Sequence, residues 1–191
     1  YFSLRPLQSF FKRHGMQVVD VKRVATKGGS LRVMVKRSEA AKHISPAVRD
    51  LAIQEEKAGI SRLETFSDFG AKLNNIKEKL QALVKEIKAS GKQLAGYGAS
   101  VGVTTLIYEL GLGKSLDYIV DDNPVKQNLF SPGFHLPVFA SSLIYEKKPE
   151  YLLVLAWGYS AQIMKKHEQF LRDGGKFILP LPGVKVIERQ N

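Results

Sequence analysis

The sequence predicts an α/β protein whose parallel sheet carries helices on both faces. Three observations carry that prediction. From residue 92 onward, short apolar runs such as "QLAGY", "YLLVLA" and "KFILP" alternate with helix-like stretches. Those runs are apolar throughout rather than alternately polar, as strands covered on both faces are. The first of them leads into a glycine turn and then a helix, "LAGYGASVGVTTLIYELGLG" at 94–113.

In order, residues 1–38 read as a helix and a hairpin.

 Ser3 is placed to cap a helix running to about His14, with Leu4, Leu7, Phe10 and Phe11 on one face. Gly15 suits the end of that helix. "MQVVDVKRV" (16–24) and "LRVMVKR" (31–37) then alternate as paired strands about the turn "ATKGGS". Helix plus hairpin is too small to bury a core, so this unit leans on other structure.

Residues 39–91 read as a helical linker. Ser45-Pro46 is a helix start, since proline in the first turn forgoes an N–H that has no helical partner. That helix runs to about Ala58 and breaks at Gly59, and Ser61 is placed to cap the next. From Phe66 the apolar positions Phe66, Phe69, Leu73, Ile76, Leu80, Leu83 and Ile87 draw one stripe along a long helix. Such a stripe serves either a coiled-coil seam or a helix laid on a sheet.

Residues 92–191 form a Rossmann-like domain. Strands are expected at 93–97, 117–121, 151–156 and 176–180, with helices at 100–110 and 159–172. Short additional strands are expected at Val138-Phe139 and Val184–Ile187.

Composition narrows the chemistry. The 191 residues include no cysteine, which removes disulfides, thiolate metal sites and a cysteine nucleophile. This composition is compatible with a reducing cytoplasm. No uninterrupted apolar run is long enough to cross a membrane. The charge of +11 favours anionic partners, yet the basic residues are dispersed, as on a solvated face, which argues against nucleic acid. His14, His43 and His167 show no metal-ligand spacing.

The glycine turn is the main candidate site. Gly96, Gly98 and Gly102 make G-x-G-x-x-x-G, one residue longer than the dinucleotide fingerprint. Gly98 would let the backbone approach a ligand oxygen, and Ser100 would cap the next helix or donate to a phosphate. Asp121 lies 23 residues beyond Gly98, about where an acid reaches a ribose hydroxyl. Lys126 either neutralises a diphosphate or is a solvated loop lysine. His135, in "SPGFHLPVF", either bonds a ligand or braces its loop. Trp157 follows a central strand, where a side chain faces ligand or packs. No nucleophile or complete catalytic set is evident.

The ordered motifs "YFSL" (1–4), "HG" (14–15), "GGSLRV" (28–33), "YGA" (97–99), "VDDNPVKQ" (120–127), "PGFHLPV" (132–138) and "GGKFILPLP" (174–182) resemble the C-terminal part of the sugar C-methyltransferases. That family methylates a carbon of a nucleotide-linked deoxysugar with S-adenosylmethionine. The resemblance implies that 1–38 is the tail of a truncated methyltransferase domain. It implies that the cofactor and catalytic residues lie upstream, with zinc in an N-terminal module, and that this fragment alone is inactive. It further implies a nucleotide-diphosphate sugar as partner, held by Tyr97, Gly98, Ala99, Ser100, Asp121, Lys126 and His135. Arg32 and Trp157 would line the cleft. Two alternatives stay open: an NAD(P)-binding oxidoreductase domain and a non-catalytic scaffold.

Overall fold

The computed structural model describes residues 2–26 and 29–189, so Tyr1 of "YFSL" and Lys27-Gly28 of the expected hairpin turn lie outside the described residues. The chain divides into two compact units, 1–71 and 72–191, rather than three stretches.

In the first unit, α1 (Leu4–Arg13) precedes β1 (Met16–Val24) and β2 (Ser30–Arg37), which pair antiparallel. The next helix, α2 (Pro46–Lys57), belongs to this unit and is no linker. Its Val48 and Leu51 close a core with Leu4, Val18 and Val21, supplying the cover that the hairpin lacks alone. Ser45 caps α2 by accepting from the Ala47 N–H at 3.3 Å, as its sequence predicts. Ser3 does not cap α1 with its side chain. The Glu55 carboxylate instead accepts the Leu4 N–H, at 3.0 Å to Oε1 and 2.9 Å to Oε2. A helix start needs acceptors for its orphan N–H groups, and here one comes from a distant helix.

The division between the units falls within α3 (Leu63–Ala89). The predicted stripe is therefore not used uniformly. Of its members Phe66 and Phe69 are exposed, as is Leu63 before them, whereas Leu80 and Ile87, with the neighbouring Val84, are buried in the core of the second unit.

That unit contains a seven-stranded sheet in the order β5-β6-β4-β3-β7-β8-β9. Its strands are β3 (Leu94–Tyr97), β4 (Ile119–Asp121), β5 (Leu129–Phe130), β6 (Pro137–Ala140), β7 (Tyr151–Val154), β8 (Lys176–Leu179) and β9 (Lys185–Ile187). The five inner strands are parallel, and the two edges are antiparallel. Helices α4 (Val101–Leu110), α5 (Leu143–Lys147), α6 (Ser160–Lys166) and α7 (Glu168–Arg172) connect them. The helix expected over 159–172 is thus split in two at His167.

The period-two alternation of strand side chains sorts the core into two clusters. Leu94, Ile119, Leu153 and Ile178 pack with Leu80, Val84 and Ile87 of α3 and Val103, Ile107 and Leu110 of α4. Ala95, Tyr97, Val120, Leu152, Val154 and Phe177 pack with Ile144, Ile163 and Phe170 of α5, α6 and α7. Full burial of one such aliphatic or aromatic side chain stabilises by about 1.5–3 kcal/mol, so both faces contribute to holding the sheet. Among the described residues, no helix is long and apolar enough to cross a membrane.

Candidate functional site

Ligands of open α/β sheets sit beyond the carboxyl ends of the strands. Here that edge is formed by the turn after β3, the Asp121-Asp122 pair ending β4, and the segment after β7. Two hollows open there.

The first, about 200 Å³, lies against α4 and the β5 loop. Ala99, Ser100 and Lys126 line it with the apolar side chains of Val101, Phe130 and Pro132. The second, about 290 Å³, lies against α6, lined by Tyr97, Gly98, Asp121, Asp122, Gln162 and Lys166. Six of the sequence-predicted binding residues are therefore divided between two adjacent hollows. His135, the seventh, is exposed at φ +50° and lines neither of them. Trp157 lies half-exposed in the short 3-10 turn that follows β7, outside both linings. Arg32 is an exposed residue of β2, opposite Lys22.

The chemistry of the glycine turn differs from its sequence reading. Asp121 is buried, and its carboxylate is engaged within the protein. Oδ2 accepts the Ala99 N–H at 2.7 Å and Lys126 Nζ at 3.3 Å, while Oδ1 accepts the Asn123 N–H at 2.8 Å. A carboxylate of the chain itself thus takes the Ala99 amide hydrogen, after Gly98 has donated its own to the Val120 carbonyl, and Asp121 braces the turn.

Gly98 has a structural reason to be glycine. Its φ is +105°, and a Cβ there would lie 2.7 Å from the Ala156 Cβ and 3.1 Å from the Ala156 nitrogen. Ala156, just beyond β7, occupies the space a side chain at Gly98 would need, while Gly98 still lines the hollow against α6. Ser100 occupies the N-cap position of α4 but makes no side-chain cap bond.

Asp122 faces the other way. Its Oδ2 accepts from the Tyr97 hydroxyl at 2.8 Å. Its Oδ1 accepts from Ser141 at 2.6 Å and from Lys166 at 2.5 Å. Burial pushes this carboxyl up, but the hydrogen bonds from Lys166, Ser141 and Tyr97 and the Lys166 charge outweigh it and bring it down to about 2. Burial, followed by the bond to Asp122, raises the Tyr97 phenol well above its ordinary range.

Sequence reasoning missed His167. Its ring contacts Tyr97 Oη through Nε2 at 3.0 Å and Tyr145 Oη through Nδ1 at 2.9 Å. Burial lowers its pKa, as does the neighbouring Lys166 charge. A signal was available: Ile163, His167 and Phe170 fall at i, i+4 and i+7, on the stripe that faces the sheet.

Fold and site together define a Rossmann-like α/β domain with two polar-rimmed hollows at its carboxyl edge. The chain belongs to the family described as C-methyltransferase C-terminal domain, which it matches over residues 25–182. It is 33% identical over 192 residues to the C-methyltransferase NovU of Streptomyces niveus. That match covers 100% of this chain and 46% of the relative, so the chain spans about half of the relative's length. A looser structural likeness exists to UDP-D-quinovosamine 4-dehydrogenase from Vibrio fischeri, with a TM-score of 0.39 and 15% identity, covering 51% of this chain and 93% of that one.

Proposed function

We propose that this chain is the C-terminal part of an S-adenosylmethionine-dependent C-methyltransferase that acts on a nucleotide-linked deoxysugar, and that its carboxyl edge contributes to holding the sugar nucleotide. Membership of the C-methyltransferase C-terminal domain family carries the reading. The juxtaposition of an apolar hollow bearing Lys126 and a polar hollow bearing Lys166, Gln162 and Asp122 supports it. Such a pair suits a ligand with one flat apolar end, an anionic centre and a hydroxylated end.

Adenosylmethionine supplies the methyl group in this chemistry, but the residues of this chain do not fit it. The acid placed to accept a ribose hydroxyl, Asp121, is already engaged by Ala99, Asn123 and Lys126. The same geometry disfavours the NAD(P)-dependent oxidoreductase alternative. Zinc likewise has no fitting site: the chain has no cysteine, and no group of three or more His, Asp or Glu among the described residues is placed to hold a metal ion. The chain alone is expected to be inactive. The scaffold alternative draws on the exposed Leu63, Phe66 and Phe69 of α3.

Calorimetric titration of the 191-residue chain with thymidine diphosphate glucose, NAD and adenosylmethionine tests the proposal. Binding of the sugar nucleotide alone is expected. Binding of either other compound in its place overturns the assignment, and binding of none removes the ligand role of this edge.

A further inference from the structure

His167 is 3% exposed, yet both its ring nitrogens are engaged. An ionised Asp122 only accepts, so the Tyr97 hydroxyl proton points to it. The Tyr97 oxygen can then meet Nε2 only as an acceptor, so Nε2 carries the proton. Nδ1 is left as acceptor for the Tyr145 hydroxyl. The bonds therefore run in one direction: Tyr145 to His167, His167 to Tyr97, Tyr97 to Asp122. They link α5, the α6–α7 junction, β3 and the end of β4. Charged groups near the chain are Lys166 beside His167 and Asp122, Asp121 beside Tyr97, and Asp173 beside Tyr145.

A chain of this kind either moves a proton or fixes a geometry. With its carboxyl brought down to about 2, Asp122 is protonated about once in 10⁵ molecules at pH 7, which makes it a poor proton carrier. Every member is instead satisfied by a partner, the condition under which a buried polar network specifies one arrangement.

We propose that His167 is a positioning residue: by donating from Nε2 it fixes the Tyr97 phenol as a donor to Asp122, and thereby sets the carboxylate that holds Lys166 at the hollow against α6. The ligand consequence rests on the sugar-nucleotide reading above, whereas the geometric claim stands without it.

Long-range proton–nitrogen NMR of the whole chain tests the geometry, with titration of thymidine diphosphate glucose as the second readout. Wild type is expected to hold His167 in the Nε2–H tautomer at neutral pH and to protect the Tyr97 hydroxyl proton from exchange. His167→Gln places an amide N–H near the Nε2 position, so it should retain that protection and bind the nucleotide within about twofold of wild type. His167→Leu should lose the protection and weaken binding about tenfold, the scale of one charge-assisted bond. If His167→Leu does not fold, the wild-type tautomer and the His167→Gln exchange rate decide the matter. An Nδ1–H tautomer in wild type overturns the proposal. So does His167→Leu with Tyr97 exchange unchanged, or His167→Gln with protection lost. If wild type binds no sugar nucleotide, the substrate reading fails, while tautomer and exchange still judge the positioning role.

Discussion

Consider replacing Gly98 by alanine. The added Cβ would lie 2.7 Å from the Ala156 Cβ and 3.1 Å from its nitrogen, with φ at +105°. Unstrained carbon contacts lie near 3.5–4.0 Å, so one strand end must move by roughly 1 Å. The Ala156 N–H donates to the Tyr97 carbonyl at 3.0 Å, extending the β3–β7 pairing, and any such movement disturbs this bond. Holding a non-glycine residue at that φ costs about 1–3 kcal/mol. Overpacking adds about 1–3 kcal/mol. The combined loss of about 2–6 kcal/mol is a large fraction of the roughly 5–15 kcal/mol that holds a typical domain.

Urea denaturation followed by tryptophan fluorescence measures this directly, because the chain has one tryptophan, Trp157, next to Ala156. Gly102→Ala is the internal control. Gly102 lies in α4 with open space around a Cβ and no positive φ, so alanine should stabilise by about 0.5–1 kcal/mol. A Gly98→Ala midpoint equal to wild type would refute the packing argument. If sugar-nucleotide affinity fell at the same time, the glycine would serve the ligand after all.

Three further outcomes are expected. The Tyr118 hydroxyl is buried without a hydrogen-bond partner among the described residues, and burial, then the Asp117 charge, pushes its phenol up to about 12; Tyr118→Phe should raise stability by about 1 kcal/mol in the same urea assay. Glu55→Ala removes the acceptor at the start of α1 and should cost about 0.5–2 kcal/mol, with Glu55→Gln costing less, as read from thermal melts of the first unit. Acid should weaken the second unit in two windows. His167 is depressed below 6.5, so the unfolded chain gains a proton first and stability falls as pH drops below that value, a loss that His167→Gln should remove. Asp122 is depressed from 3.8 to about 2, so its contribution is complete above 3.8 and disappears as pH falls through about 2. Urea midpoints measured from pH 8 downward would expose either error, by staying level or by rising.

The β/α alternation was legible because apolar runs and glycine turns are local signals. The strands at 94–97 and 176–179 fall within a residue of their expected bounds for that reason. What escaped depends on distant partners. Ser3 has the right chemistry for a cap, but Glu55, 51 residues beyond Leu4, supplies the acceptor. The stripe of α3 is continuous in sequence, yet its burial changes near the division between units, which periodicity alone does not mark. At the site, residue types were legible and their allegiances were not. Asp121 stands where a ribose acid stands, and only the fold brings the Ala99 amide and Lys126 onto its oxygens.

The two adjacent aspartates each hold a lysine at the carboxyl edge. Successive residues at a strand end face opposite sides of the sheet. Asp121 turns to the Ala99 amide and Lys126, bracing the turn beside the hollow at α4. Asp122 turns to Tyr97, Ser141 and Lys166, forming the wall of the hollow at α6. Both aspartates border the hollow against α6, and each holds one lysine: Asp121 holds Lys126, which lines the hollow against α4, and Asp122 holds Lys166. Neither lysine can bring its full charge to an incoming phosphate while its aspartate holds it, which favours hydroxyl recognition at Lys166 or requires the ligand to displace an ion pair. Salt dependence of sugar-nucleotide binding separates these routes. Contact of a diphosphate with the two lysines should give an affinity that declines with added salt, whereas hydroxyl recognition should be nearly flat.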